Sequence, residues 1–389
     1  MDYNEAAMRM HREHRGKIEI APKVEVRDRD GLSTAYTPGV AEPCREICRR
    51  PEAIWELTAR GSFVAVVSDG SAVLGLGDIG PLAAMPVMEG KALLFKEFGG
   101  VDAVPICLDV HSPEEIISAV RAIAPSFGGI NLEDIAAPKC FEIEAALERE
   151  LDIPVFHDDQ HGTAIVVSAA LTNALKVTGR RLEECRIVLN GPGAAGTAIT
   201  EMLLALGARD IVVCDRRGAL VPGREGVSGH KLSLAQRTNP RRVSGGLADA
   251  MRGADVFIGV SSGGLVSEEM VRSMAPGPVV FAMANPTPEI SYAGALAAGA
   301  AVAGTGRSDC PNQINNVLAF PGVFRGALSV RARDINTPMK AAAVGALAGL
   351  VGGALAPDHI IPDAFDTRVA PAIAEAVAKA ARESGAARI

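Results

Sequence analysis

The sequence lacks paired cysteines, a basic tract and a long apolar run, and each absence excludes a class of protein. The formal net charge is -7, and no run of Lys or Arg is present to follow a phosphate backbone, so nucleic acid is not an expected partner. The cysteines lack the CxxC spacing of zinc sites, and we interpret them as ordinary reduced core thiols. They are Cys44, Cys48, Cys107, Cys140, Cys185, Cys214 and Cys310.

The missing apolar run argues against a membrane protein. The longest uncharged stretch, residues 341–356, is rich in Ala and Gly and falls short of the roughly 20 apolar residues that a membrane span needs. We predict a buried helix there. The N-terminal sequence MDYNEAAMRMHREHRGK is charged and lacks an apolar signal core. We therefore expect a cytoplasmic protein with no membrane partner.

The length and the order of apolar segments predict two α/β domains. A chain of 389 residues exceeds what one core usually organises. Residues 1–160 alternate strand-like and helical segments, including strand, turn, strand and helix over 61–100. Residues 161–389 contain the short apolar strands RIVLNG, DIVVCD, ADVFIGVS and PVVFAMANP between helices, which indicates a doubly wound parallel sheet. We predict that the helical segment from Asn336 packs back across both domains.

A glycine-rich turn follows the first of these later strands. The string NGPGAAGTAI places Gly191, Gly193 and Gly196 in GxGxxG spacing, with Ala194 and Ala195 between the last two. The glycines permit a tight turn, a close approach of pyrophosphate and close helix packing, and the helix N-terminus favours the anion. This context predicts a Rossmann-like domain that binds NAD or NADP.

The following strand ends in Asp215, about 20 residues beyond the last glycine, where a carboxylate would accept hydrogen bonds from the adenosine ribose. That position favours NAD. Arg216 and Arg217 come next and offer partners for the extra phosphate of NADP, although a solvated turn explains them equally well. The cofactor preference stays open and leans to NAD.

Two acidic clusters close the first domain. Glu133 and Asp134 lie in NLEDI, and Asp159 lies in VFHDDQHGTA, each after an apolar run. Adjacent carboxylates repel unless a cation neutralises them, and their hard oxygens suit Mg²⁺ or Mn²⁺. Two simpler interpretations remain: Asp159 caps a helix that starts near Thr163, and the other two acids occupy a wet turn. His157 and His161 lack a zinc-site context, and we interpret them as supporting polar residues.

Tyr36 and Lys91 are candidates for proton transfer. Tyr36 precedes a Thr-Pro-Gly turn, and Lys91 falls early in a helix that is otherwise apolar on one face. A partly desolvated lysine beside a metal has a lowered pKa and removes a hydroxyl proton, and a tyrosine returns one. Taken alone, each has a structural alternative, namely a packed turn tyrosine and a surface lysine whose stem covers apolar atoms.

Several long strings together resemble the malic enzyme family over nearly the whole chain. They are YTPGVAEP, SDGSAVLGLGDIGPLAAMPVMEGKALLFK, NLEDI, VFHDDQHGTA, NGPGAAGTAI, ANPTPE and NQINNVLAFPGVFRGAL, in the family's order. The length is typical of compact bacterial members without a phosphotransacetylase-like extension. The resemblance implies metal-dependent oxidative decarboxylation of L-malate to pyruvate and carbon dioxide, with reduction of NAD or NADP.

The resemblance also implies roles for individual residues. Lys91 matches the general base, Tyr36 the general acid, and Asp158 the aspartate that orients the lysine. The remaining matches are the metal ligands Glu133, Asp134 and Asp159, the cofactor- and substrate-contacting Asn285, and the substrate-contacting Asn316 with Asn315 beside it.

One position departs from the family pattern. Larger members carry an arginine for a substrate carboxylate where this chain has Ala72, and Arg325 is our hypothesis for its replacement. A malolactic relative, which makes lactate with tightly held NAD, is the nearest alternative function. A catalytically silent sensor of dinucleotide and dicarboxylate is a more distant one. The resemblance favours a homodimer or a dimer of dimers.

Overall fold

A computed structural model describes residues 2–73, 75–110 and 112–389. The helices are α1 (Tyr3–His14), α2 (Arg29–Ala35), α3 (Ala41–Arg49), α4 (Ile54–Leu57), α5 (Gly80–Gly99), α6 (Pro113–Ile123), α7 (Lys139–Glu150), α8 (Asp158–Thr178), α9 (Ala194–Ala205), α10 (Gly229–Arg237), α11 (Leu247–Met251), α12 (Glu268–Arg272), α13 (Tyr292–Ala297), α14 (Phe320–Ser329), α15 (Thr337–Gly349) and α16 (Val369–Glu383). The strands are β1 (Phe63–Ser68), β2 (Asp102–Cys107), β3 (Gly129–Leu132), β4 (Val155–His157), β5 (Arg186–Asn190), β6 (Asp210–Asp215), β7 (Gly218–Ala219), β8 (Val256–Gly259), β9 (Val279–Ala282) and β10 (Val302–Thr305).

The first sheet is parallel, with strand order β2-β1-β3-β4, and is covered on both faces. Successive residues of β1 point to opposite sides. Val64 and Val66 pack in the core that contains Phe95 of α5, whereas Ala65 and Val67 belong to the core beneath α6 and α7. This sandwiching explains why β1 is apolar throughout.

The second strand predicted within residues 61–100 is wrong. Between β1 and α5, the residues that the structure describes form an isolated bridge, Val73 with Gly77, and no strand. Gly75, Gly77 and Gly80 have φ values of 75°, 77° and 75°, which a continuous strand does not accommodate. The described residues of this segment form a glycine-bent loop at the carboxyl end of β1.

The second sheet confirms the doubly wound prediction. Its order is β10-β9-β8-β5-β6-β7, with parallel pairing except for the two-residue edge strand β7. Strand order reverses between β5 and β8, the position at which such sheets bind ligands. The C-terminal helices pack back as expected: α16 contacts α14, α15 and α5, and α15 contacts α8.

Helix α8 connects the two sheets. It begins at Asp158, so the domain boundary that we predict after residue 160 falls in its first turn. Most of its side chains are buried, and it packs along α9 and α15. Within the described residues, no helix is both long and apolar enough to span a membrane.

The N-terminal helices differ from the rest of the chain. None of α1, α2 and α3 contains a buried residue. Cys44 and Cys48 of α3 are exposed, which corrects the interpretation of all cysteines as core thiols; Cys140, Cys185 and Cys214 are buried.

Candidate active site

A buried lysine lies at the carboxyl end of the first sheet. Lys91 of α5 is 6% exposed, which excludes a surface role. Its Nζ lies 2.5 Å from Asp158 Oδ2 and 2.9 Å from Glu133 Oε1. The ring centroid of Phe320 is 3.9 Å from the same atom. Asp158 also accepts a hydrogen bond of 2.5 Å from Asn316 Nδ2, so the lysine and the asparagine share one carboxylate.

Two carboxylates set the charge balance around Lys91. Burial lowers the pKa of the Lys91 ammonium, but the carboxylates of Asp158 and Glu133 outweigh it and raise that pKa above its ordinary value. Without a cation, both carboxylates therefore hold the Lys91 ammonium in its charged form. The lowered pKa of a lysine beside a metal stays a prediction, because a cation that neutralised Glu133 would remove part of this stabilisation.

Three carboxylates next to Lys91 form a cluster suited to a cation. Ligand atoms of Glu133, Asp134 and Asp159 lie within 4.8 Å of one another. Glu133 and Asp134 are 6% and 4% exposed, so they do not occupy a wet turn, and Asp159 lies in the first turn of α8 rather than capping a helix near Thr163. Their backbone and side chains are tied together, since the Asp134 N–H donates to Asp159 Oδ2 at 2.8 Å.

The electrostatics of this cluster fit a divalent cation. Burial and the neighbouring carboxylates of Asp159 and Glu133 raise the pKa of Asp134 to about 8. Asp134 Oδ2 is buried without a hydrogen-bond partner. A cation bound by hard oxygens would satisfy that atom and relieve the repulsion, as Mg²⁺ or Mn²⁺ does.

A cavity of about 820 Å³ opens beside the cluster, between the carboxyl ends of the two sheets. Its lining includes residues predicted to contact metal, substrate or cofactor, together with Ala72. Those predicted residues are Asp159, Ala195, Asn285, Asn315 and Asn316. The side chain of Asn315 also caps a short turn, because its Oδ1 accepts from the Val317 N–H at 3.1 Å.

The glycine-rich turn lies at the same edge of the second sheet, where Ala194 begins α9. Gly191 has a φ of 116°, and a Cβ on Gly196 would lie 1.8 Å from the Gly191 carbonyl oxygen. A Cβ on Gly193 would meet no atom within 4 Å. The first and third glycines are therefore required by the fold, whereas the second leaves open space at the helix N-terminus, as a pyrophosphate site requires.

Asp215 lies at the end of β6 but its carboxylate is already engaged. Oδ2 accepts hydrogen bonds from Arg224 at 2.8 Å and Lys231 at 3.0 Å, and Oδ1 accepts from the Arg217 N–H at 2.9 Å. Arg216 and Arg217 are exposed beside it. The sequence analysis missed Arg224 and Lys231, which lie 9 and 16 residues beyond Asp215 and belong to no recognised motif.

Two predicted residues lie apart from this constellation. Tyr36 is 68% exposed and directly follows α2, and it does not line the large cavity. Arg325 is exposed and lines a separate cavity of about 490 Å³ with Phe98 and Phe365. Within one chain, Arg325 therefore does not occupy the place of the arginine that is missing at Ala72.

A Rossmann-like sheet whose glycine turn faces a buried lysine and three clustered carboxylates defines a two-domain oxidoreductase that uses a nicotinamide cofactor. Residues 15–148 match the family model described as "Malic enzyme, N-terminal domain", and residues 160–382 match "Malic enzyme, NAD binding domain". The chain belongs to the malic enzyme family.

Individual relatives agree with this assignment. The chain is 56% identical to a bifunctional malic/malolactic enzyme of Bacillus subtilis, over 100% of this chain and 95% of the relative. It is 57% identical to an NAD-dependent malic enzyme of Geobacillus stearothermophilus, over 96% and 78%. A crystal structure of an NAD-dependent malic enzyme from Thermotoga maritima superposes with a TM-score of 0.93 and 51% identity, covering 96% of this chain and 98% of that one.

Proposed function

We propose that the chain catalyses the oxidative decarboxylation of L-malate to pyruvate and carbon dioxide, with reduction of NAD or NADP. The observation that carries this proposal is the position of Lys91. Its ammonium lies buried between Asp158 and Glu133, beside a carboxylate cluster and a cavity that reaches the glycine-rich turn. A base, a cation site and a hydride acceptor site then surround one small substrate.

In this mechanism Lys91 removes the proton of the C2 hydroxyl while hydride leaves C2 for the nicotinamide. Asp158 and Asn316 hold the lysine in place through the shared carboxylate. Glu133, Asp134 and Asp159 would hold Mg²⁺ or Mn²⁺, which supplies Lewis-acid polarisation of the substrate oxygen during loss of the distal carboxylate. Tyr36 then protonates the carbon that lost carbon dioxide.

The surroundings of Asp215 bear on the choice of cofactor. A free carboxylate would accept from the ribose hydroxyls of NAD and repel the phosphate of NADP. Here two cations neutralise the carboxylate, and Arg216 and Arg217 add exposed positive charge. This arrangement weakens the lean towards NAD, and we propose that the chain uses NADP as well as NAD.

The exposed position of Tyr36 bears on the assembly. We propose a homodimer in which Tyr36 of each chain completes the site of the other, alone or within a dimer of dimers. Ile20, Val24 and Leu32 in the N-terminal region are 96%, 66% and 52% exposed, and Leu82 of α5 is 92% exposed. Apolar side chains in this number are typical of a protein interface. In a two-fold dimer these apolar residues of one chain pack against the same residues of the other. The two Tyr36 side chains then occupy equivalent positions by symmetry.

Complementation tests this arrangement. Purified Tyr36→Phe and Lys91→Met chains are each expected to be inactive. When the two variants are mixed and exchange subunits, half of the dimers contain one chain of each kind. Each of these dimers has one intact site of two, so about a quarter of wild-type activity returns. A site built within one chain gives no recovery, because every mixed dimer then carries a defect in both sites.

A malolactic activity is the second candidate, favoured by the bifunctional name of the Bacillus subtilis relative. Incubation of the protein with L-malate, Mn²⁺ and either NAD or NADP separates the two. The malic activity produces pyruvate with a matching rise in reduced-nicotinamide absorbance, and the rise requires Mn²⁺. Formation of lactate without that rise would assign the malolactic reaction. If neither pyruvate nor lactate forms, the proposal is refuted.

A further inference from the structure

The start of α8 carries two site residues but lacks a cap from its own segment. Asp158 and Asp159 lie in its first turn, and the N-cap residue His157 makes no side-chain cap hydrogen bond. The first N–H groups of a helix need acceptors, particularly where the helix start is buried. The acceptor here comes from a neighbouring helix.

Glu144 of α7 supplies that acceptor. Its Oε1 accepts from the His157 N–H at 2.7 Å, and its Oε2 accepts from Gln160 Nε2 at 2.7 Å. His161 Nε2 lies 3.0 Å from Oε1 and 3.1 Å from Oε2. Glu144 is only 6% exposed, so these contacts replace water almost completely. One carboxylate therefore holds three residues that bracket Asp158 and Asp159.

The position of this carboxylate needs an explanation. It is buried, and a buried negative charge costs free energy unless it is paired and hydrogen-bonded. A glutamine would fill the same volume without that charge. The carboxylate offers only acceptors, however, and the groups that attract it are a backbone N–H, an amide NH₂, the His161 imidazole and the nearby Lys340 ammonium. It also lies at the positive end of the α8 dipole.

We propose that Glu144 is a positioning residue that fixes the first turn of α8, and with it Asp158 and Asp159, in the geometry that a divalent cation and Lys91 require. This inference rests on the proposed metal-dependent function. Groups behind metal ligands commonly change metal affinity 10- to 100-fold when they are altered, roughly the size expected here.

Direct binding of Mn²⁺ tests the proposal without turnover. Mn²⁺ is titrated into the full-length protein, with neither malate nor nucleotide present, and free Mn²⁺ is followed by electron paramagnetic resonance. Glu144→Gln is expected to raise the Mn²⁺ Kd roughly 10- to 100-fold. NADH binding, followed by fluorescence, should stay within about twofold of wild type, since the glycine-rich turn keeps its own support.

Glu148→Gln is the matched control. Glu148 lies one turn further along α7 and lines the same cavity of about 310 Å³ as Glu144. Its removal is expected to leave the Mn²⁺ Kd unchanged. Should Glu144→Gln fail to fold, Gln160→Met removes one donor to Glu144 alone, and a Kd increase of roughly three- to tenfold is expected.

The outcomes separate clearly. A folded Glu144→Gln that binds Mn²⁺ as tightly as wild type overturns the positioning role while leaving the proposed function intact. Equal losses of Mn²⁺ and NADH binding, in step with the folded fraction, also overturn it, because they indicate a purely structural residue. Wild-type protein that does not bind Mn²⁺ refutes the proposed metal centre, and the positioning role with it.

Discussion

Two acidic sites at strand ends behave in opposite ways. At Asp215, partial burial raises the carboxyl pKa, but hydrogen bonds from Arg224 and Lys231 outweigh it and lower the pKa below its usual value. At Asp134, burial and two neighbouring carboxylates raise the pKa to about 8. The chain supplies the cations for the first site and leaves the second short of positive charge. An aspartate that follows a strand therefore indicates a cation site only where the chain itself does not supply the neighbouring positive charge.

The largest expected effect concerns Lys91, the single cation within bonding distance of the acidic cluster among the described residues. Lys91→Met removes the proposed base and should lower kcat with malate roughly 100- to 10,000-fold. Lys96→Met, on the same helix, removes an exposed ion pair with Asp102 and should leave kcat within about twofold. Thermal scans first establish that both variants are folded, and steady-state assays then measure kcat. Wild-type turnover in Lys91→Met would remove the lysine from the mechanism.

A second prediction tests the sign of the charge imbalance. Asp134→Asn removes one of three repelling carboxylates, so the metal-free Tm should be unchanged or higher than wild type. Mn²⁺ at 100 times its Kd should add about 2.7 kcal/mol to wild-type stability and little to the variant. Asp215→Asn should instead lower the metal-free Tm, since it leaves Arg224 and Lys231 facing each other. Calorimetry in EDTA and in Mn²⁺ measures both, and equal Tm changes for the two variants would contradict the comparison.

The smallest effect is expected at the adenosine end of the cofactor. Lys231→Gln removes one cation beside Asp215 and should raise the KM for NADP roughly three- to tenfold while changing the KM for NAD less than twofold. The ratio of the two KM values is the readout, with malate and Mn²⁺ saturating. An equal change for both cofactors would mean that this lysine supports the fold of the turn rather than the extra phosphate.

Sequence periodicity predicted most of the fold because the strands are buried on both faces. DIVVCD, for example, became β6 with unchanged bounds, Asp210–Asp215. The error between β1 and α5 arose because an apolar segment was interpreted without weighing Gly75, Gly77 and Gly80, whose positive φ values bend the chain. Residues that act through spatial neighbours were the hardest to find. Glu144 lies on an ordinary amphipathic helix, and nothing in its local sequence indicates that it faces the start of α8.

Candidate site residues were predictable where a motif fixes them locally. Lys91 and the proposed metal ligands converge because β3, α5 and α8 meet at one sheet edge, a result that parallel topology dictates. The position of Tyr36 could not be predicted, since α2, the helix before it, buries no residue and its sequence therefore gives no apolar pattern that ties it to the rest of the chain. The location of Arg325 was equally hard to predict: within one chain it lines a different cavity from Ala72, and sequence distance does not reveal which cavity a side chain enters.

Helix α8 has a mechanical consequence. Its first turn presents the acidic pair, its middle lines the large cavity through Thr163 and Val166, and its length rests on α9, the helix that begins at the glycine-rich turn. One continuous helix therefore runs from the acidic cluster past the cavity wall to the contact with α9. A displacement of α8 would therefore shift the acidic pair and the wall of the large cavity together.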